Sequence, residues 1–228
     1  MGLGLVVGLG EAGLMRCFEA LLLLLVAGTC CADGDDAVAG GAAHDLRAAA
    51  LSGDLQLVEQ GLADGVAVDA VSEEDGLTAL FYAAVGGHGA VVEALLKAGA
   101  DVDRSDKNGN RPLLMGASMN HTHVVAALLA AGAKVNSPNA KGNTALDVSS
   151  TDEVKALLLD HRLITAVVKG DLALVKAALA GGANPECTNR EGASAQTLAE
   201  GKTPWSGKNV YTDIVAALKA AGSAKKEL

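Results

Sequence analysis

Apolar residues fall three to four apart in two short runs, Ala79 to Gly86 and Val91 to Ala98, separated by the breaker Gly87-His88. That spacing predicts two short helices joined by a tight turn. Each is below the roughly 12–15 residues at which an isolated helix becomes marginally stable in water, so each needs neighbours to hold it. Gly99 reads as a left-handed cap that ends the second helix, and the polar stretch Asp101 to Asn108 runs out to a turn closed at Gly109.

The same arrangement returns along the chain. Gly76, Gly109 and Gly142 recur every 33 residues, and so do Leu80, Leu113 and Leu146. Val92 and Val125, Leu95 and Leu128, Gly99 and Gly132, and Ala100 and Ala133 keep the same step. A period of this length marks units that cannot bury their apolar faces alone and stack to do so. The unit predicted is helix, helix and extended finger.

GLTALFYAAVGGHGAVVEALLKAGADVD, from Gly76 to Asp103, and GNRPLLMGASMNHTHVVAALLAAGAKVN, from Gly109 to Asn136, resemble the ankyrin repeat family. The resemblance implies an all-α ankyrin-repeat solenoid of helix-turn-helix repeats with extended, β-hairpin-like fingers. Arg111 departs from the family's Thr, Phe81 and Leu114 from its His, and Gly116 from its first Ala. Because that Thr and His brace the turn in the family, their replacement implies softer turns. Leu46 to Asp69 and Leu163 to Glu186 are fainter copies. The resemblance covers 43–222, in units of about 43–75, 76–108, 109–141, 142–161, 162–190 and 191–222. The fourth reads as truncated by about a helical turn, and the last carries an insertion at 200–212. A disordered tail is expected at 223–228.

Residues 1–32 form an apolar, Gly-rich leader in which Glu11, Arg16 and Glu19 are charged, with ALLLLLVA at Ala20 to Ala27. Arg16 before this run and small residues through Ala32 after it fit a secretory signal peptide, with Met15 as a sensible alternative start. A membrane anchor, a plastid-type leader and a mis-annotated leader are the alternatives, and cytoplasmic residence goes with the last. A flexible acidic and Gly-rich linker is expected at 33–42. Gly8, Gly10 and Gly13 imitate a dinucleotide-binding turn, but no βαβ unit follows to receive a cofactor. Val6 at the sixth position disfavours myristoylation.

Composition narrows function further. Half the residues are apolar, yet only two Phe, two Tyr and one Trp are present, so the core must be built from small aliphatic side chains. That suits closely packed helices and not a barrel or sandwich. With 27 acidic against 18 basic residues and a net charge of -9, no basic run interleaved with aromatics occurs. Nucleic acid is therefore not the expected partner. The four cysteines, Cys17, Cys30, Cys31 and Cys187, form neither a disulfide framework nor a metal motif.

No cofactor, metal or catalytic residue is expected. His88 and His121 share one repeat position and read as helix-start residues bonding the inter-helix turn, while His121 and His123 diverge too far to pair on a metal. Asp54 and Asp171 read as matched helix caps and not as a carboxylate pair. The expected function is a non-enzymatic protein-binding scaffold that uses the concave ankyrin surface. The alternatives are a structural or regulatory subunit of a larger complex and, further off, an enzyme built on the stack. Membrane contact is expected only through residues 1–32 if these remain uncleaved.

Candidate contacts lie at the finger tips, Ser72 to Leu77, Ser105 to Asn110 and Pro138 to Asn143, which single out Leu77, Asn110 and Asn143. The family's surface-turned His position adds Phe81 and Leu114. Tyr82 and Met115 read either as contacts or as core between repeats. Trp205 and Tyr211, in the last unit's insertion, read equally as a binding loop or as a cap over the last helix pair. Asn120-His121-Thr122 is a glycosylation sequon.

Overall fold

The computed structural model describes residues 46–72, 76–202 and 209–226, with the side chains of 225 and 226 excepted. The leader, the linker and Trp205 lie outside the described residues. The chain separates into Met1–Gly40, none of which is described, and Gly41–Leu228.

Eleven helices are described. The first, α1, covers residues 46–52. It is followed by α2 (Leu55–Ala63), α3 (Ala79–Gly86), α4 (Gly89–Lys97), α5 (Pro112–Ser118) and α6 (Thr122–Ala130). Then come α7 (Ala145–Val148), α8 (Asp152–Lys169), α9 (Leu172–Ala180), α10 (Ala195–Glu200) and α11 (Val210–Lys226). They stack in two rows. In one row α3 packs on α5 and α5 on α7; in the other α2 packs on α4, α4 on α6 and α6 on α8. Within a unit α3 pairs with α4, α5 with α6, α8 with α9 and α10 with α11. Each helix thus has the neighbours its length demands.

Asp54 and Asp171 are N-caps, each accepting a hydrogen bond from the backbone N–H three residues on, at Leu57 and Leu174. Thr78 caps α3 in the same way through Phe81 N–H. Arg111 replaces that Thr at α5 and makes no capping bond. Pro112 in the first turn compensates, since its missing N–H removes one orphan donor and its fixed φ is already helical. At α7 Thr144 is held differently, its N–H and hydroxyl both donating to the Asp147 carboxylate at 2.8 and 2.6 Å. These bonds, the hydroxyl's foremost, with help from the Arg162 charge, hold Asp147 below the usual carboxylate range.

The core is aliphatic. Leu80, Leu95, Leu128, Leu158, Leu163 and Ile214 are fully buried and are spread along the stack from α3 to α11. Gly116, in the place of an Ala, lets α5 approach α6: a Cβ there would stand 3.1 Å from Val124 Cγ1.

Three expectations are corrected. The fingers are not β-hairpin-like. Among the described residues no strand forms, and the isolated bridge Thr188–Ser194 is the nearest approach to one. Asp and Asn side chains take the hydrogen bonds a ladder would need, so each finger closes as a turn and goes no further. The unit boundary at 161/162 is not a boundary either, because α8 runs through it unbroken for 18 residues. Nothing in DEVKALLLDHRLITAVVK breaks a helix, and the truncated unit lacks its closing turn and finger as well as the expected helical turn, since α7 has four residues where α3 has eight and α5 seven. Finally, residues 223–226 of the supposed tail continue α11.

Candidate functional site

The finger turns are built by one device. Asp106 Oδ1 accepts from the N–H groups of Asn108 and Asn110 at 2.8 and 2.7 Å. Asn139 Oδ1 does the same for Lys141 and Asn143, and Asn189 Oδ1 for Glu191 and Ala193. A short acceptor that bonds its own backbone two and four residues on shapes a turn without strand pairing. Gly109, Gly142 and Gly192 complete these turns at φ 75°, 84° and 77°, a region that disfavours a Cβ, which explains why glycine recurs there.

Adjacent fingers are also tied together. Asn110 Nδ2 donates to Asp106 Oδ2, Asn139 Nδ2 donates to Asn110 Oδ1, and Ala140 N–H donates to Asn108 O. Asn110 is therefore half-buried between its own finger and the next, while Asn143 is exposed and contributes its backbone N–H. The tips project beyond this ladder. Asn108 and Lys141 are exposed, on turns whose backbone is fixed from below, and Arg104 is exposed just before the first of these turns.

A second ladder joins the units at their helix turns. His88 Nε2 is 2.8 Å from Leu51 O, and His121 Nε2 is 3.0 Å from Val85 O. Each histidine precedes a second helix as expected, but its ring reaches the carbonyl of the preceding unit and makes no cap bond of its own. Gly87, left-handed at φ 76°, makes room for this: a Cβ there would lie 2.7 Å from the His121 ring. At the last unit Tyr211 takes the role. Its hydroxyl and Lys202 Nζ both donate to Val168 O, at 3.5 and 2.6 Å, and Lys202 lies 5.7 Å from the Tyr211 ring centroid. Tyr211 thus packs back on the end of α8. At the truncated unit the sequon's Asn120 closes the joint instead. Its Nδ2 donates to Ser150 Oγ at 2.8 Å, and its Oδ1 accepts from the N–H groups of Ser150 and Thr151.

Asn110 and Asn143 meet in this finger array, whereas the apolar candidates do not join it at the surface. Phe81, Leu114 and Leu77 are 6%, 5% and 7% exposed. Their outward placement is corrected: α3, ALFYAAVG, is apolar on every face, and a helix of that kind is enclosed by neighbours on all sides. Tyr82 is buried with them, and Met115 stays half-buried on α5. Sequence reasoning had the finger ranges but passed over Arg104, Asn108 and Lys141 as individual residues, although a charged or amide side chain just before or after a turn-forming Asp or Asn was the available signal.

Among the described residues no group of three or more His, Cys, Asp and Glu could hold a metal ion, and no helix is long and apolar enough to cross a membrane. Residues 46–139 match the family model described as ankyrin repeats, in three copies. This stretch of the chain is similar to ankyrin repeats. A search of curated proteins gave no match. Ankyrin-repeat folds generally mediate protein–protein interactions, and the helix rows of the array continue past the matched stretch through α7 to α11.

Proposed function

We propose that the chain is a protein-binding scaffold whose partner contacts the finger turns and the adjoining edge of the first helices, the concave side in ankyrin repeats. The observation that carries this reading is the finger array itself. Tips bearing exposed Asn108 and Lys141 stand on backbone fixed by the Asp106, Asn110 and Asn139 ladder. A surface ordered before contact loses little freedom on binding, which is the favourable condition for recognition.

The joint change Asn108→Arg and Lys141→Glu tests it. A partner recovered from the native source should be lost while helicity and melting temperature hold, since neither side chain supports the fold. Phe81 and Leu114 are unsuitable for this purpose because they are core. If binding persists through the joint change and disappears on Trp205→Ala, recognition belongs to the last unit's insertion and the finger reading is wrong.

We further propose that residues 1–32 direct the chain into the secretory pathway. The basic, apolar and small-residue sequence of that leader is what supports this, and the state of Cys187 is compatible with it. Cys187 is 8% exposed, and burial, aided by the Asp160 charge, pushes its thiol up to about 12. A thiol kept protonated and covered is unreactive, so it can remain unpaired in an oxidising compartment. Expression in a secreting eukaryotic host should release protein beginning near Asp33. An intact Met1 or Met15 terminus on cytosolic protein would end the proposal.

A further inference from the structure

The rungs that link successive units stop at one place. The Asp69 carboxylate accepts from Asp101 N–H, and the Asp103 carboxylate accepts from Lys134 N–H. Asn136 ends the next GAKVN as Asp103 ends GADVD, yet no following turn arrives to meet it, because α8 passes straight through. The ladder resumes beyond, with Asn184 N–H donating to Asp160 Oδ1 at 2.6 Å. Where the rung is missing, the turn at 132–137 and the second half of α8 enclose a groove of about 460 Å³. That volume falls within the range of about 300–1,000 Å³ typical of ligand sites.

The groove's chemistry runs against that of the chain. Lys134, His161, Arg162 and Lys169 line it together with Asn136 and Thr165, and no carboxylate is among the lining residues, in a protein of net charge -9. Two carboxylates stand near it. Asp103 lies 3.4 Å from Lys134 Nζ, and Asp147 feels the Arg162 charge. Arg190 adds a positive charge felt at His161, whose own pKa is lowered, mainly by burial, which leaves its ring neutral at pH 7. Three permanent cations therefore line the groove against two flanking carboxylates. Arg162 Nε is buried there without a hydrogen-bond acceptor, a donor that an incoming carboxylate would satisfy.

We propose that this groove binds an acidic segment of a partner protein, seating Asp or Glu carboxylates between Lys134, Arg162 and Lys169. The lining includes Ser137, next to the finger tip that starts at Pro138, but none of the tip residues themselves. The groove exists because one finger is missing.

Fluorescence anisotropy of a fluorescein-labelled hexapeptide of alternating Glu and Asp, titrated with the full-length chain, tests this. Saturable binding is expected, weakening as salt rises, with no binding of the Gln and Asn counterpart. The double variant Arg162→Gln with Lys169→Gln should weaken binding about tenfold or more, whereas Lys107→Gln with Lys141→Gln on the finger tips should leave it unchanged. If the first pair lowers the melting temperature, Lys134→Gln with Lys169→Gln replaces it, with the same expectation. Equal binding of the neutral peptide, loss on the finger-tip pair instead, or equal competition by inorganic phosphate would each overturn the proposal.

Discussion

Replacing Leu95 or Leu128 by alanine is expected to cost about 2 to 5 kcal/mol of stability, read by urea denaturation followed at 222 nm. Both side chains are fully buried, on α4 and α6, one repeat apart. Each helix contacts its own first helix and the second helices on either side, so truncation leaves a cavity with walls from three elements. With so few aromatics in the chain, no large side chain stands ready to collapse into it. The array adds a further consequence. Neighbouring units stabilise one another, so the loss should lower the midpoint of the whole array and not release a single helix pair. Since α4 and α6 touch, the double variant should depart from the sum of the singles. A loss below about 1 kcal/mol at both positions would contradict their place in the core.

The helix pairs were legible because their cause is local. Apolar spacing, an N-cap such as Asp54 or Asp171 and a breaker such as Gly87 all sit within one unit of sequence, and the 33-residue step confirms the phase. The orientation of Phe81 and Leu114 does not follow from their position within the repeat, because the composition of the helix outweighs it. In ALFYAAVG no polar residue marks an outer face, and that fact alone argued for burial. The form of the fingers is not legible in the sequence, because a polar stretch ending in Gly is compatible with either a hairpin or a side-chain-closed turn. The deciding bonds at Asp106, Asn139 and Asn189 differ from strand pairing only in three dimensions. The groove was invisible for a further reason. Lys134 and Lys169 are 35 positions apart, and they line one wall and the other only because a finger that should separate them is absent.

The unbroken course of α8 makes the sharpest claim against the sequence pattern, and His161→Pro addresses it directly. In an array divided at 161/162, residue 161 would belong to a turn, where proline is commonly accepted. Inside α8 it meets two penalties. Its ring would clash with the carbonyl of Leu157, and the backbone N–H that donates within the helix would be lost, together costing about 3 kcal/mol or more. The effect should spread in both directions, because α8 packs against α6 and α7 before it in the chain and against α9 and α10 after it. Leu158 and Leu163, fully buried on either side of the substitution, would be pulled out of register with each other. The expected result is a fall in melting temperature with loss of helical signal beyond a single turn. His161→Ala, which keeps the backbone donor, should cost far less, so comparing the two separates the helix from the side chain. A proline variant as stable as the alanine variant would restore a turn at 161/162, and with it the missing wall of the groove.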